Sequence, residues 1–328
     1  MKIGITYDLR EDYLKMGFTE EETAEFDQAG TINAIDSTLK MLGYETERIG
    51  HFKALTKALI EGKRWDMVFN ICEGMHGIGR EAQVPAILDA WSIPYVFSGP
   101  LVLSLTLHKA MTKRVVRDAG IPTPDFYVVN KESDIQNIHL KFPLFAKPVA
   151  EGTGKGVDSR SVITNAQQLH DRCIYLLDRF KQPVLVETFL SGREFTVGIV
   201  GTAEQAHSVG VLEIILKENA EANVYSYVNK EECEQLVEYV LVNGDIANAC
   251  EKVSLDAWKV LECQDGGRVD IRFDDKGVAN FIEVNPLAGL HPEHSDLPIL
   301  SHKNGIEYIE LIRMIMQSAL AKLPKQVI

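Results

Sequence analysis

The sequence predicts an α/β fold of two or three domains that begins with a parallel sheet. At 328 residues the chain is too long for one ordinary hydrophobic core, which indicates more than one domain. Residues 2–108 alternate short apolar runs with segments of helical periodicity, a pattern typical of a parallel sheet covered by helices. Residues 109–190 show the pattern of a smaller sheet flanked by helices, and residues 268–285 show that of a hairpin.

Composition and charge narrow the class of protein. A content of 45% hydrophobic and 25% charged residues is that of a soluble globular protein, and a net charge of 34 − 47 = −13 without any basic run argues against a nucleic acid partner. The N-terminus lacks a signal-peptide pattern and no run reaches the ~18 apolar residues of a membrane span, so we expect a cytoplasmic protein without a membrane partner. Scattered cysteines without a CxxC spacing predict thiols; they are Cys72, Cys173, Cys233, Cys250 and Cys263.

The first 108 residues predict four strands that alternate with three helices. The predicted strands are KIGITY, YETERI, WDMVFNI and IPYVFSG, and the predicted helices are TINAIDSTLKMLG, HFKALTKALIEG and EAQVPAILDAW. Gly43, Gly62 and Pro94 stand where helix ends and strand starts are expected. Open parallel sheets bind ligands beyond the carboxyl ends of their strands, which here are YDLRED, FNICEGMHG and FSGP.

The remaining chain predicts one helix over 103–120 and then further strands and helices. The strands are FPLFAKP, PVLVETFL, EFTVGIVG and SVGVLEIIL, followed by the hairpin, and the helices are AQQLHDRCIYLLDRF, ANACEKVSLDAWKVLEC and IEYIELIRMIMQSALA. In the last helix, apolar residues recur at helical spacing and predict a face that is buried in a core. These residues are Ile306, Ile309, Ile312 and Met316.

The hairpin RVDIRFDDKGVANFIEVN has an unusually acidic polar face. If its turn has two or four residues, Arg268 lies opposite Glu283 and Asp270 lies opposite Phe281. Because strand side chains alternate with period two, one face then carries Arg268, Asp270, Glu283 and Asn285, and the other carries Val269, Ile271, Phe273, Ile282 and Val284. Oxygen donors of Asp, Glu and Asn suit a hard ion such as Mg²⁺, whereas arginines that neutralise the acids would make a solvated surface. The hairpin alone leaves both interpretations open.

Other stretches predict contacts with a nucleotide. The loop EGTGKG at 151–156 has glycines that let backbone N–H groups approach a phosphate, although such a tip can also be a plain turn. Lys147 in the apolar run FAKP needs an anion or a route to solvent, and a phosphate would supply the anion. Glu187 and Glu194 flank a Ser-Gly turn as either solvated acids or partners of adenine and ribose. HGIGREA at 76–82 mimics a dinucleotide fingerprint but lacks its last glycine.

In this order, the pieces resemble the ATP-grasp superfamily and, within it, the D-alanine–D-alanine ligase family. The resemblance covers most of the chain and rests on MHGIGREAQ, HKAMTKRVVRDAGIPTP, FAKPVAEGTGKG, VLVETFLSGREFTV, YSYVNK and GRVDIRFDDKGVANFIEVNPLAGL. It implies a three-domain ATP-grasp architecture. The implied parts are an N-terminal α/β domain over 1–108, a central subdomain with a glycine-rich flap over 109–190, and a C-terminal subdomain with the metal site and lid over 191–328.

The resemblance also implies roles for individual residues. The positions that match ATP-binding residues of the family are Lys109, Lys147, Glu151, Thr153, Gly154, Gly156, Glu187, Thr188, Leu190, Glu194 and Lys230. Those that match the ligands of two Mg²⁺ ions are Asp270, Glu283 and Asn285. Arg268 and the backbone of Gly289 match the oxyanion site, and the positions that match the amino-acid pockets are His76, Glu81 and Ser295.

The implied activity is the ATP-dependent ligation of two small amino acids, as in peptidoglycan biosynthesis. A carboxylate would take the γ-phosphate of ATP and form an acyl phosphate, which an amine then attacks. The implied partners are ATP, Mg²⁺ and small-molecule substrates, in a homodimer. The alternatives are a ligase for another amino acid, a dipeptide or a biosynthetic carboxylate, a non-catalytic nucleotide-binding protein, or a dinucleotide-binding oxidoreductase through HGIGREA.

Three departures from the family lie at the substrate end. The glycine-rich turn whose glutamate binds the first ammonium is replaced by YDLRED and a longer acidic stretch, which leaves Asp8, Glu11 and Glu25 as candidates. Glu231 stands where a tyrosine is expected after the lid lysine, and NPLAGLHPEHS replaces a Ser-Pro-Gly turn with one residue inserted. The nucleotide end therefore matches the family better than the substrate end does.

Overall fold

The N-terminal part of the chain forms the predicted parallel sheet. The computed structural model describes residues 1–217 and 233–323. Its first elements are β1 (Lys2–Tyr7), α1 (Arg10–Lys15), α2 (Ala29–Met41), β2 (Glu45–Gly50), α3 (Phe52–Ile60), β3 (Met67–Ile71), α4 (Gln83–Ala90) and β4 (Tyr95–Val96). The strands pair in parallel in the order β2-β1-β3-β4. Ile3, Ile5 and Phe69 of this sheet are fully buried, as expected for strands covered by helices.

A second, antiparallel sheet follows. Its part of the chain contains α5 (Pro100–Leu107), α6 (Lys109–Asp118), β5 (Phe126–Val129), β6 (Leu144–Pro148), β7 (Val162–Ile163), α7 (Ala166–Phe180) and β8 (Val184–Thr188). The strand order is β5-β8-β6-β7. Helix α7 buries Leu169, Cys173 and Leu176, which lie three or four residues apart and so share one helical face against this sheet. The predicted small sheet with flanking helices is confirmed.

The single helix predicted over 103–120 is wrong, because the chain breaks at His108. This residue has φ −85° and ψ 83°, outside the helical range. Its ring Nδ1 accepts a hydrogen bond from the backbone N–H of Met111 at 3.3 Å and so caps α6. Lys109 thereby becomes the first residue of α6. A side-chain cap of this kind is invisible to hydrophobic periodicity.

The third sheet is antiparallel and has five strands. Its part of the chain contains β9 (Glu194–Val200), β10 (His207–Leu216), α8 (Cys233–Leu236), β11 (Val237–Leu241), α9 (Asp245–Val260), β12 (Gly266–Phe273), β13 (Ala279–Asn285), α10 (Asp296–Lys303) and α11 (Tyr308–Ala321). The strand order is β11-β10-β9-β12-β13. Helix α11 returns to the N-terminal sheet, where Ile312 and Met316 share a core with Ile3. Ile306 and Ile309, also predicted for the buried face, are only partly buried.

The predicted pairing of the β12–β13 hairpin is wrong by two residues. Asp270 lies opposite Glu283, and Arg268 lies opposite Asn285. Two irregularities cause the difference. The turn spans 274–278 and is one residue longer than the longest turn expected, and a bulge between Asp270 and Ile271 shifts the register a second time. Each irregularity moves the pairing by one residue. Because the total shift is even, the four polar side chains still share one face, as predicted.

The bulge also reverses the direction of Ile282. This side chain was expected in the core beside Val269, but it lines a cavity next to Glu283. Phe281 takes the core position instead and is fully buried. A bulge places two residues opposite one, so the alternation of faces slips at that point.

Two predictions from composition can be compared with the structure. Within residues 1–217 and 233–323, no helix is both long enough and apolar enough to cross a membrane. The cysteines with described side chains are all free and buried, in agreement with the prediction of thiols; they are Cys72, Cys173, Cys250 and Cys263. The side chain of Cys233 lies outside the described part of the chain.

Candidate functional site

Two neighbouring cavities share Lys109 and Glu283 in their walls. The first, here named the lysine cleft, is also lined by Lys147, Glu187, Glu194 and Asp270. The second, here named the glutamate cavity, is also lined by Glu25, Glu73, Glu81, Arg268, Asn285 and Gly289. Strand β13 of the third sheet borders both cavities, whereas loops of the N-terminal sheet border only the second. The molecule therefore holds two chemically different spaces side by side.

Lys147 of β6 forms ion pairs with two glutamates. The residue is 6% exposed, and its Nζ lies 3.3 Å from Glu187 and 3.6 Å from Glu283. Lys113, which is fully buried, lies 2.9 Å from the other carboxylate oxygen of Glu187. Burial opposes ionisation here, but the opposite charges outweigh it, so the pKa of Glu187 is lowered and that of Lys147 is raised. Glu187 and Lys147 are therefore both charged at neutral pH and form an ion pair.

The helix break at His108 brings Lys109 to the same place. The Lys109 Nζ donates a hydrogen bond to the backbone oxygen of Glu151 at 2.6 Å and lies 3.7 Å from Glu283. Lys109 therefore connects the start of the glycine-rich loop with β13. Ammonium groups from two different elements, those of Lys109 and Lys147, converge on one cleft, where they can bind phosphate oxygens.

The glycine-rich loop at 151–156 has the backbone that its composition predicts. Gly154 has φ 73° and Gly156 has φ 71°, values that favour glycine. A Cβ on Gly156 would lie 2.6 Å from a ring carbon of Pro148, so a side chain does not fit there. Thr153 also has a positive φ, and its buried hydroxyl oxygen has no hydrogen-bond partner within the described chain. The loop thus presents a polar atom that the protein itself does not satisfy.

Apolar side chains form one wall of the lysine cleft. The rings of Phe145 and Phe189 are inclined by only 17°, with centroids 6.4 Å apart. Leu190, which is 8% exposed, and Ile282 at the bulge line the same cleft. A planar heterocyclic base can pack against such a wall while the lysines bind an attached phosphate chain.

The oxygen donors of the hairpin fit a hard cation. Asp270 and Glu283 face each other across β12 and β13, and the Thr196 hydroxyl donates to Asp270 at 2.9 Å. The amide nitrogen of Asn285 is buried and has no hydrogen-bond partner in the described chain. Among the described residues no three His, Cys, Asp or Glu side chains form a metal site by themselves. Two carboxylates with the amide oxygen of Asn285 remain a suitable donor set for Mg²⁺.

Glu25 borders the glutamate cavity with its carboxylate fully engaged. One oxygen accepts a hydrogen bond from Arg80 at 2.8 Å; the other accepts from the backbone N–H of Gly152 at 2.6 Å and lies 3.0 Å from Lys155. Although burial opposes ionisation, Arg80 and Lys155 lower the pKa of Glu25 to about 2. Glu25 therefore connects an N-terminal loop to the glycine-rich loop.

Glu73 and Glu81 line the same cavity without comparable partners. Neither carboxylate has a hydrogen-bond or ion-pair partner within residues 1–217 and 233–323. Burial raises the pKa of both carboxyl groups, and the charge of Glu81 raises that of Glu73 further. Both residues are partly buried, and neighbouring carboxylates repel each other unless a proton or a cation compensates them. This part of the cavity is therefore suited to a cationic group.

The structure brings most of the predicted site residues into the two cavities. Those that line the lysine cleft are Lys109, Lys147, Glu151, Gly154, Glu187, Thr188, Leu190, Glu194, Asp270 and Glu283. Those that line the glutamate cavity, apart from the shared Lys109 and Glu283, are Glu81, Thr153, Arg268, Asn285 and Gly289. The candidates for nucleotide and for amino-acid contacts thus fall largely into separate spaces.

Some predicted residues lie elsewhere. Gly156 packs behind the loop against apolar side chains, and His76 is exposed and lines a separate cavity. The Ser295 hydroxyl accepts a hydrogen bond from the backbone N–H of His291 at 2.9 Å, and Ser295 lines neither cavity. Lys230 and Glu231 lie outside the described residues.

Sequence reasoning missed several charged residues of the site. Lys113 follows Lys109 by one helical turn, and Lys155 lies inside the glycine-rich loop, so both had a positional signal. Glu73 follows the carboxyl end of β3, a region that the rule for parallel sheets already indicates as a ligand site. Arg80 had no signal, because its partner Glu25 is 55 residues away in sequence.

Comparisons with known proteins agree with the sequence resemblance. The model of the D-ala D-ala ligase C-terminus family matches residues 115–317. A D-alanine–D-alanine ligase of Aquifex aeolicus is 32% identical over 87% of this chain and 93% of its own length. Two solved structures share the fold. One is the D-alanine–D-alanine ligase of Bacillus anthracis complexed with ATP, with a TM-score of 0.73, 22% identity and 98% coverage of both chains. The other is the VanG D-Ala:D-Ser ligase of Enterococcus faecalis, with a TM-score of 0.74, 19% identity and coverage of 97% of this chain and 99% of that one.

These findings settle the fold class and the enzyme class. The structural likeness confirms the predicted α/β architecture of ATP-grasp type. The family match and the sequence identity over most of the chain confirm an ATP-dependent ligase and exclude the dinucleotide-binding oxidoreductase. The chain belongs to the D-alanine–D-alanine ligase family.

Proposed function

We propose that the protein joins two small amino acids at the expense of ATP, with D-alanine in both positions. The observation that carries the proposal is the wall shared by the two cavities, formed by Lys109 and Glu283. A nucleotide in the lysine cleft would place the last phosphate of its chain at this wall, next to the carboxylate of an amino acid bound in the glutamate cavity. D-alanine is supported by the names of the matched relatives.

The lysine cleft would hold ATP. The rings of Phe145 and Phe189 would pack beside the base, and Glu194 would accept hydrogen bonds from the ribose hydroxyls. Lys109 and Lys147 would bind phosphate oxygens, and the N–H groups of the glycine-rich loop would approach the same phosphates. The convergence of both ammonium groups on one cleft supports these roles.

Asp270, Glu283 and Asn285 would hold Mg²⁺, and the resemblance implies two ions. Bound Mg²⁺ supplies charge neutralisation for phosphate in transfer. Asp270 is oriented by hydrogen bonds from Thr196 at 2.9 Å and from Arg268 at 2.7 Å. Its carboxylate is therefore fixed in direction before any ligand binds.

The reaction would proceed in two steps. A carboxylate oxygen of the first amino acid attacks the γ-phosphorus of ATP, the bond to the bridging oxygen of ADP breaks, and an acyl phosphate forms. The neutral amine of the second amino acid then attacks the acyl carbon, phosphate leaves, and the nitrogen loses a proton. The guanidinium of Arg268 and the backbone N–H of Gly289 would stabilise the oxyanion of the second step. Their presence in the wall that contains Glu283 supports this role.

Incubation of the purified protein with ATP, Mg²⁺ and D-alanine tests the proposal. The expected result is release of ADP and phosphate that depends on D-alanine, together with D-alanyl-D-alanine detected by mass spectrometry. L-alanine, D-serine, dipeptides and small carboxylic acids in the same assay test the alternative substrates. If no member of the panel stimulates ADP release, ligase turnover is contradicted; if another product forms, only the choice of D-alanine is.

The resemblance supports further proposals about assembly. We expect a homodimer with small-molecule partners, located in the cytoplasm, with domain boundaries near 108/109 and 190/191. Sedimentation in solution tests the dimer, cell fractionation tests the location, and limited proteolysis tests the boundaries.

A further inference from the structure

The loop after β1 offers no available carboxylate to the ammonium group of an amino acid in the glutamate cavity. Asp8 accepts hydrogen bonds from the Tyr13 hydroxyl at 2.6 Å and from the backbone N–H of Gly74 at 2.9 Å. Glu25 is engaged by Arg80, Lys155 and a backbone N–H. Glu11 does not line the cavity. None of the three sequence candidates therefore has both the position and the capacity for this contact.

Glu73 and Glu81 have both. Glu73 comes from the loop after β3, and Glu81 comes from a short 3₁₀ turn at Arg80–Ala82. Both carboxylates line the cavity, and within the described residues neither has a hydrogen-bond or ion-pair partner. Thr153 and Asn285 line the same cavity, and the Thr153 hydroxyl and the Asn285 amide nitrogen are buried without hydrogen-bond partners in the described chain. Unsatisfied polar groups from separate walls thus face one space, as expected for a ligand site.

The charges of the cavity are arranged for a zwitterion. Two cationic side chains line the cavity near Glu283, those of Lys109 and Arg268. Lys109 lies 3.7 Å from Glu283. Arg268 lies 2.7 Å from Asp270, which faces Glu283 across the sheet, and 3.2 Å from Asp296. The wall near Glu283 is next to the lysine cleft, where the reacting carboxylate must lie. The acids Glu73 and Glu81 belong to the N-terminal loops instead. An α-amino acid with its carboxylate toward the phosphates would place its ammonium group toward these acids.

We propose that Glu73 and Glu81 together bind the ammonium group of the acyl-donating amino acid, and that the enzyme requires a cationic amino group on this substrate. The inference rests on the proposed ligase function and specifies how its first substrate is selected. A pocket whose polar groups are left unpaired by an analogue rejects that analogue strongly. A des-amino acid would leave both carboxylates unpaired and would therefore be excluded.

The ionisation of the two acids agrees with this role. The ionisable groups that face them are Glu25, Asp27, Arg80 and Lys109. Burial raises the pKa of both carboxyl groups, so each binds a proton more tightly than an exposed glutamate does, and an ammonium group competes with that proton. The apparent affinity for the first amino acid is therefore expected to fall as the pH decreases below neutrality.

Competition between D-alanine and propionate as acyl donors tests the inference. Propionate lacks the amino group and has no nucleophile, so it can enter only as the acid; propionyl-D-alanine and D-alanyl-D-alanine are separated by mass. Wild-type protein should form almost entirely the dipeptide. The product ratio is the amount of D-alanyl-D-alanine divided by that of propionyl-D-alanine. Glu73→Gln and Glu81→Gln should each lower this ratio by about tenfold or more and raise the KM for D-alanine, while the KM for ATP stays within about twofold. Glu204→Gln, whose side chain is 85% exposed, is the matched control.

The product ratio is internal to each protein sample, so a partly unfolded variant still reports it. An unchanged ratio in both active variants overturns the inference while leaving the ligase function intact. If the wild-type protein forms no dipeptide, the proposed function fails. Calorimetric titration of D-alanine and of propionate into the protein with Mg²⁺ and a non-hydrolysable ATP analogue then decides the inference: tighter binding of D-alanine that is lost in the variants supports it, and equal affinities overturn it.

Discussion

The lysine cleft and the glutamate cavity differ in whether the protein itself supplies ion-pair partners for their acidic side chains. In the lysine cleft, Glu187 lies 2.9 Å from Lys113 and 3.3 Å from Lys147, so the protein compensates its own charges. In the glutamate cavity, Glu73 and Glu81 have no ion-pair partner among the described residues. A compensated site keeps its geometry without a ligand, whereas an uncompensated one gains most from a ligand of opposite charge.

This difference parallels the pattern of similarity to the family. The motifs that form the lysine cleft match the family closely, while YDLRED and NPLAGLHPEHS depart from it at the substrate end. ATP is common to the enzymes of the family, so its site can be preorganised by internal ion pairs. A substrate pocket has to discriminate, and charge that only the correct ligand can compensate is one physical means of discrimination.

The largest effect is expected in the lysine cleft, from Asp270→Asn, because Asp270 lies opposite the shared Glu283. The substitution removes one of the proposed Mg²⁺ ligands without changing the side-chain volume, so turnover should fall about a thousandfold while the protein still folds. ADP release and thermal unfolding measure the two properties. Asp275→Asn, in the exposed turn of the same hairpin, is the matched control and should leave turnover unchanged. A loss below about tenfold would contradict the proposed metal site.

Lys147→Met should change the KM for ATP much more than the KM for D-alanine, and so tests whether the two regions act independently. It removes a charged donor to phosphate, which is worth about 1.5 to 3 kcal/mol, so the KM for ATP should rise roughly 10- to 100-fold. The KM for D-alanine should change much less, because Lys147 does not line the glutamate cavity. Lys252→Met, whose side chain is 77% exposed on α9, controls for the loss of a positive charge. An equal rise in both KM values would show that the two regions are not independent.

The parts of the site that the sequence predicts follow from periodicity and from local chemistry. Asp270 and Glu283 were placed on one face by the period of a strand, and this survived an even shift in register. Lys147 was singled out because a lysine in an apolar strand needs an anion, and the structure supplies Glu187. The α/β fold was predicted by alternating strands and helices.

The parts that the sequence does not predict depend on caps, bulges and distant partners. Neither the helix break at His108 nor the reversal of Ile282 changes the pattern of apolar residues. HGIGREA mimics a dinucleotide fingerprint, yet its turn places Glu81 in the wall of the glutamate cavity. Whether a glutamate is compensated depends on side chains far away in sequence, as the pairing of Arg80 with Glu25 illustrates. Sequence alone therefore identified acids as candidates without ranking them.

Glu25→Gln tests the compensated acid at the border of the glutamate cavity. The side chain is 7% exposed and its pKa is lowered to about 2, so the ionised form stabilises the fold above the ordinary pKa near 4.5. The variant should lose about 3 kcal/mol of unfolding free energy at pH 7, with the difference shrinking as the pH falls from 4.5 toward 2. Urea denaturation across this range measures it. Glu21→Gln, which breaks a surface pair with Arg179, should cost less than about 1 kcal/mol, and a similar cost for both variants would contradict the assignment.

Glu81→Gln should have the smallest effect and the opposite sign. Burial raises the pKa of Glu81 to about 7 from an ordinary value of 4.5. A raised pKa gives stability that is complete below pH 4.5 and is lost as the pH rises through about 7, because the folded protein must then ionise a buried acid. The neutral glutamine avoids this loss. Because Glu81 is only partly buried, solvent reduces the cost below that for Glu25, so the ligand-free variant should be more stable than wild type by about 1 to 2 kcal/mol at pH 8 and equally stable near pH 4.5. Thermal unfolding at both pH values measures the difference, with Glu204→Gln as the control. A variant that is less stable than wild type at pH 8 would show that the cavity compensates Glu81 internally, and the contrast between the two regions would then be wrong.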